Sequence, residues 1–121
     1  MALLQMASKK NSPRFPKRGE VYWVDLEPVR GGETQKKRPG LVVSNNIGNE
    51  FSNIVMVAPI TSNVNRVYPT EAETTIAGKP AKIMVHQCRA LDKSRLLNKI
   101  DTVDQKTMTL VASAIEVVFA L

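Results

Sequence analysis

Short apolar runs, each broken off by glycine, proline or asparagine, fill the middle of this chain, and one helical stripe closes it. Glu20–Leu26 (EVYWVDL) is rich in β-branched and aromatic residues and is bounded by Gly19 and Pro28, which predicts a strand. Pro39–Ser44 (PGLVVS) predicts a second, short and continuously apolar. The Asn45–Asn49 cluster predicts a turn. Asn53–Ile60 (NIVMVAPI) is apolar throughout, as expected of a strand buried on both faces, and Pro59 predicts an edge, a bulge or the strand's exit there. Tyr68–Ile76 alternates weakly and predicts a fourth strand. Gly78–Pro80 predicts a turn, and Ala81–Gln87 a fifth strand. Arg89–Leu97 mixes a short strand end with one helical turn capped by Asp92 or Ser94, and Asn98–Val103 predicts the last strand. Asp104 is a good N-cap for a helix to about Phe119. On it Met108, Val111, Ile115 and Val118 recur at helical spacing, a stripe best explained by packing on a sheet. The pattern predicts a mostly β (α+β) fold: a small antiparallel barrel whose closure hides strand edges, with a C-terminal helix packed on it.

At 121 residues the chain is expected to form one domain, spanning 18–121, behind a basic N-terminal extension over 1–17 that is loose or holds a short helix at Ala2–Ala7. The net charge of +6 suggests a nucleic-acid binder, but its distribution qualifies that. Residues 1–18 carry Lys9, Lys10, Arg14, Lys17 and Arg18 and no acid. Of 17 basic residues that leaves 12, against 11 acidic ones, so any nucleic-acid site must be a local patch. Cys88 and His86 are the only residues of their kinds. Within one chain this excludes a disulfide, a Cys-ligated or His-rich metal site and a two-histidine acid–base pair. No apolar run approaches a membrane span, and Met1–Ser8 is too short for a signal-peptide core, so a cytoplasmic location is expected.

The local patch lies between the first two strands, in the stretch VRGGETQKKRPG (29–40), which carries Arg30, Lys36, Lys37 and Arg38 against the single acid Glu33. Positive charge on a flexible Gly31-Gly32 segment, pinned by Pro28 and Pro39, suits a phosphate-rich ligand. Pro39 also pushes Arg38 toward an extended backbone and so fixes where its side chain leaves the strand. From the residues alone, Arg38 reads most simply as closing a charged hairpin with Glu33 or Asp25, and Thr61 as a satisfied strand-end threonine. His86, on a predicted strand, reads as structural although histidine is the commonest general base as a residue type. Cys88 reads as an ordinary buried residue. Tyr22 and Trp23 are adjacent and point to opposite faces, so at least one belongs to the core.

The run RGEVYWVDLEPVRGGETQKKRPGLVVSNN resembles the N-terminal signature of the MazF/PemK (Kid) toxins of bacterial type II toxin–antitoxin systems, and the later runs IVMVAPIT and HQCRALDKSRL match the same pattern. These three runs, in order, cover nearly everything from Arg18 to the terminal helix. The resemblance implies an SH3-like barrel that dimerises and cleaves single-stranded mRNA at short sequences without a metal or other cofactor. It also implies a cognate antitoxin that lays an acidic, partly disordered tail across the active site. By motif position, Arg38 of KKRPG matches the family's catalytic arginine and Thr61 of APIT its catalytic threonine. Glu33, Thr34 and Gln35 match the loop over the site and are candidates for base selection. Lys36 and Lys37 would hold flanking phosphates, Ser62 would assist Thr61, and Gln87 matches a substrate-lining position. Two other functions stay open: a toxin of the same fold that binds DNA gyrase, as CcdB toxins do, and an SH3-like RNA- or protein-binding module.

Overall fold

β-Branched and aromatic residues set seven strands of this chain in one antiparallel sheet, and the computed structural model describes residues 15–26 and 37–121. The strands are β1 (Glu20–Asp25), β2 (Lys37–Val42), β3 (Ile54–Thr61), β4 (Glu71–Ile76), β5 (Lys79–Met84), β6 (Arg89–Asp92) and β7 (Leu96–Thr102). Helix α1 (Asn46–Phe51) precedes β3 and helix α2 (Gln105–Phe119) ends the fold, with 3-10 turns at Val85–Gln87 and Lys93–Arg95. The order is β4-β5-β3-β2-β1-β7, with β6 beside β3. The sheet curls as a half-barrel whose end strands, β4 and β7, are not paired to each other among the described residues. The expected mostly β fold with a packed C-terminal helix is therefore present. Helix α2 packs on β4, one of the two end strands.

Strand β3 organises the sheet because it has three neighbours. One edge pairs with β2; the other is shared, by β6 along Ile54–Val57 and by β5 at Ile60 and Thr61. Pro59 sits in the gap between β6 and β5. The Val43 amide donates to the Met56 carbonyl at 3.0 Å, and hydrogen-bonded pairs alternate in an antiparallel ladder. The Gly40/Pro59 pair is then a non-hydrogen-bonded one, and the amide proton that proline lacks would have pointed into the gap. The expected strand exit at Pro59 is a change of neighbours.

Alternation along these strands separates two apolar clusters. On one face Leu41, Ala58, Ile60, Ala72 and Ile83 meet Met108, Val111 and Ala114 of α2, with Ile115 and Val118 packed partly buried beside them. The predicted helical stripe is thus a core stripe. On the other face Val24, Leu26, Val55, Val57 and Leu91 form a second cluster, against which Tyr22 packs, while Trp23 points to solvent.

Several boundaries differ from the pattern. The Asn45–Asn49 cluster begins a short helix instead of a turn. Asn45 caps it, accepting from the Ile47 amide at 2.7 Å, and the fully buried Asn49 donates to the Ser44 carbonyl at 2.9 Å. Its apolar residues Ile47 and Phe51 face solvent, so it carries no amphipathic stripe to announce it. β4 starts at Glu71 rather than Tyr68, and β5 runs Lys79–Met84 rather than 81–87. The intervening turn is Ala77-Gly78, both with positive φ (50° and 80°), the geometry of a two-residue hairpin. Asp92 is the cap of its 3-10 turn and Asp104 that of α2. Among the described residues no helix is long and apolar enough to cross a membrane.

Candidate active site

The second sheet face opens into a shallow cleft beside β2. Its floor is apolar, made by Val24, Leu26, Gly40, Val57 and Leu91; Arg38, Pro39, Pro59 and Arg89 form its rim. Gly40 lets the strands come this close. A Cβ there would lie 2.5 Å from Val57 Cγ1 and 2.7 Å from Val24 Cγ2. Arg38 stands two residues before Gly40, opposite Val24, and so projects on the cleft side of the sheet.

The β2–β3 register runs toward both residues of the family motif. Gly40 faces Pro59; carried two residues past this last pair, the same register sets Arg38 level with Thr61 on the same face. Thr61 is half-buried at the end of β3, and its Oγ1 accepts from the Asn63 amide at 3.2 Å. That bond occupies a lone pair and leaves the hydroxyl proton free to donate. Arg38 is also half-buried, and no carboxylate among the described residues lies within ion-pair distance of it. The hairpin pairing with Asp25 is not formed; Glu33 lies outside the described residues, as do Thr34, Gln35 and Lys36.

The other candidates lie further out. Lys37 is exposed at the start of β2, and Ser62 is exposed just after Thr61. Gln87 is exposed on the 3-10 turn leading into β6 and does not line the cleft; its Nε2 is 3.7 Å from Met84 Sδ. His86 is on that turn too, exposed and not on a strand, because β5 stops at Met84. Cys88 is half-buried against the main core rather than fully buried, and burial pushes its thiol pKa up, opposite to the direction that activates a nucleophile. Among the described residues no group of three or more His, Cys, Asp or Glu side chains is placed to hold a metal ion.

One lining residue was not singled out from sequence. Arg89 faces Val57 across the β3–β6 ladder and adds a second guanidinium to the rim. Its only signal in the chain is its place in the HQCRALDKSRL motif.

Comparison with known proteins gives a consistent answer. The family model described as PemK-like, MazF-like toxin of type II toxin–antitoxin system matches residues 17–119. "Endoribonuclease EndoA" of Bacillus subtilis (strain 168) is 39% identical over 110 residues, covering 87% of this chain and 95% of that protein. "Endoribonuclease MazF" of Staphylococcus saprophyticus is 37% identical over 110 residues, covering 87% and 92%. Among solved structures, an endoribonuclease in complex with its cognate antitoxin, from Mycobacterial species, superposes with a TM-score of 0.75 at 25% identity, covering 88% of this chain and 96% of that one. MazF of Deinococcus radiodurans shares the fold, with a TM-score of 0.76 at 23% identity over 90% and 100%.

Proposed function

From the premise that the chain belongs to the PemK-like, MazF-like family of type II toxin–antitoxin toxins, we propose that it cuts single-stranded mRNA at a short sequence, without a metal, leaving 2′,3′-cyclic phosphate and 5′-OH ends. The chain is an endoribonuclease toxin of this family, and the proposal concerns how it cuts and what it meets. In this chemistry the RNA's own 2′-oxygen attacks the adjacent phosphorus in line and gives up its proton. The bond from phosphorus to the 5′-oxygen breaks, and that oxygen leaves with a proton. Charge builds on the non-bridging oxygens between these events. A guanidinium meets that charge with two parallel hydrogen bonds, and preorganised donors of this kind are usually the largest catalytic contribution. We assign this role to Arg38, and to Thr61 the donation of its hydroxyl proton to a phosphate oxygen or the orientation of the 2′-OH.

What supports the proposal is the β2–β3 register, which carried two residues past its last pair sets Arg38 and Thr61 level on one face, with the guanidinium free of any carboxylate among the described residues, beside an apolar floor. Lys37 then holds a flanking phosphate, Ser62 supports Thr61, and Gln87 reads a base edge at the outer margin. Glu33, Thr34, Gln35 and Lys36 select and hold bases and phosphates from the loop by motif position. We take 18–121 as the toxin domain, acting in the cytoplasm as a homodimer, with 1–17 an extension outside the activity. Its antitoxin would bear an acidic, partly disordered tail suited to the basic cleft.

The test is incubation of the purified protein with a long single-stranded RNA in EDTA beside Arg38→Ala, with the ends mapped. Discrete cuts lost in the variant are expected. Intact RNA with the parent protein would favour gyrase binding or a simple binding module instead. Sedimentation giving only monomer at micromolar protein would overturn the homodimer.

A further inference from the structure

Lys82 and Glu71 form the one ion pair among the described residues with both partners buried, Nζ to Oε1 at 3.1 Å. Burying two charges costs desolvation that their mutual attraction often only balances, so what the pair holds is informative. The same Nζ donates to the Arg66 carbonyl at 2.6 Å, and the same Oε1 accepts from the Tyr68 amide at 2.9 Å. The Glu71 amide returns a bond to the Tyr68 carbonyl at 2.8 Å. These bonds pin the segment that leaves Thr61 and runs to β4. They do so from next door, since Lys82 is the cross-strand partner of Thr61.

The pinned segment presents an aromatic ring and a free cation. Tyr68 keeps 50% of its surface in solvent, too much for a core residue. The Lys82 ammonium lies 5.8 Å from its ring centroid and the Arg66 guanidinium 6.0 Å, with Arg66 Nη1 3.4 Å from the Tyr68 hydroxyl. Arg66 is exposed and has no carboxylate within ion-pair distance among the described residues. A fixed π-face beside a cation is what single-stranded nucleic acid binds, the ring taking a base and the cation a phosphate. We propose that Tyr68 and Arg66 form a subsite for a nucleotide flanking the cleaved bond, with the Lys82–Glu71 pair as the clamp that positions it. This rests on the ribonuclease function above and extends the site past Thr61. Tyr68 and Arg66 touch the RNA; Lys82 and Glu71 act through them.

Cleavage kinetics and binding together test it. Tyr68→Ala keeps the backbone groups that the clamp uses, so the fold is expected to survive, as a thermal melt will check. On an RNA extending past the cut on both sides, KM should rise about 5- to 150-fold with kcat nearly unchanged, the range for loss of one base stack. Tyr68→Phe, which retains the ring, should behave like the parent. A substrate trimmed back nucleotide by nucleotide from each end should lose its sensitivity to Tyr68→Ala once the stacked nucleotide is gone, which identifies the side. In the Arg38→Ala background, where a labelled single-stranded oligoribonucleotide stays intact, Arg66→Ala should flatten the plot of log Kd against log salt by about 0.7, one phosphate contact. Cleavage that depends on Arg38 but is indifferent to Tyr68→Ala, with an unchanged salt slope for Arg66→Ala, overturns the subsite alone. No cleavage by the parent protein overturns the ribonuclease function and the subsite with it.

Discussion

Adding one methyl group at Gly40 strains the cleft from its floor. An alanine Cβ would meet Val57 Cγ1 at 2.5 Å and Val24 Cγ2 at 2.7 Å, both closer than real Cβ contacts come. Neither neighbour can turn away easily. Both are buried, at 2% and 1% exposure, and branching at Cβ restricts χ1. Relief must come from separating β1, β2 and β3. Overpacking of this kind costs about 1–3 kcal/mol. The backbone at Gly40 does not need positive φ, so alanine recovers about 0.4–1 kcal/mol by restricting the unfolded chain. The net expectation for Gly40→Ala is a loss of about 1–2 kcal/mol, measured by urea unfolding at fixed protein concentration. Because one of the two clashes is with Val57, the cost of Gly40→Ala should shrink in a Val57→Ala background, a coupling that a double-mutant cycle reads directly. Gly40→Ala as stable as the parent, or an equal cost in both backgrounds, would refute the packing account.

Removing Lys82 with Lys82→Ala strips a buried carboxylate of its partner and should cost about 2–4 kcal/mol, read by denaturant unfolding. Burial alone would raise the Glu71 carboxyl, but bonds from the Tyr68 amide and Lys82, with the nearby His86, outweigh it and hold the pKa below the ordinary glutamate value. Its stabilisation is then full above the unfolded-state pKa and is lost as pH falls through the lower folded one. Glu71→Gln should flatten the acid limb of the stability–pH curve accordingly, and an unchanged limb would exclude the linkage. Ala77 has φ 50° in the β4–β5 turn, so Ala77→Gly or Ala77→Asn should stabilise the hairpin by about 0.5–1 kcal/mol, seen as a higher melting temperature. Cys88, with its raised thiol pKa and half-buried side chain, should be alkylated by iodoacetamide at neutral pH far more slowly in the native protein than in urea.

Periodicity carried most of the architecture. The continuous apolar run at 53–60 predicted β3, the Met108–Val118 stripe predicted the face of α2, and Asp104 predicted its start. These signals are local, and burial follows them over most of their length, Ile54 at the start of β3 being the exposed exception. The misses have a different origin. Asn45 reads as a turn residue because the same side-chain bond to a backbone amide two residues on can build a turn or cap a helix. β5 ends at Met84 because the chain turns into a 3-10 segment to reach β6, although Val85 and His86 keep a strand-like composition. Of the site, the motif singled out Arg38 and Thr61, but their common level depends on a β2–β3 register that no single segment encodes. Arg89, Lys82 and Glu71 were invisible for the same reason. Each acquires its meaning only from a neighbour brought close by strand pairing.

The most direct test of metal-free self-cleavage uses an oligoribonucleotide spanning one mapped cut, prepared with a single 2′-deoxy nucleotide on the 5′ side of that bond and incubated in EDTA. The account predicts that the all-ribose strand yields a 2′,3′-cyclic phosphate and a 5′-OH by mass spectrometry, and that the deoxy strand stays whole. Cleavage of the deoxy strand would show that water or a protein group attacks the phosphorus, and would contradict the roles given to Arg38 and Thr61.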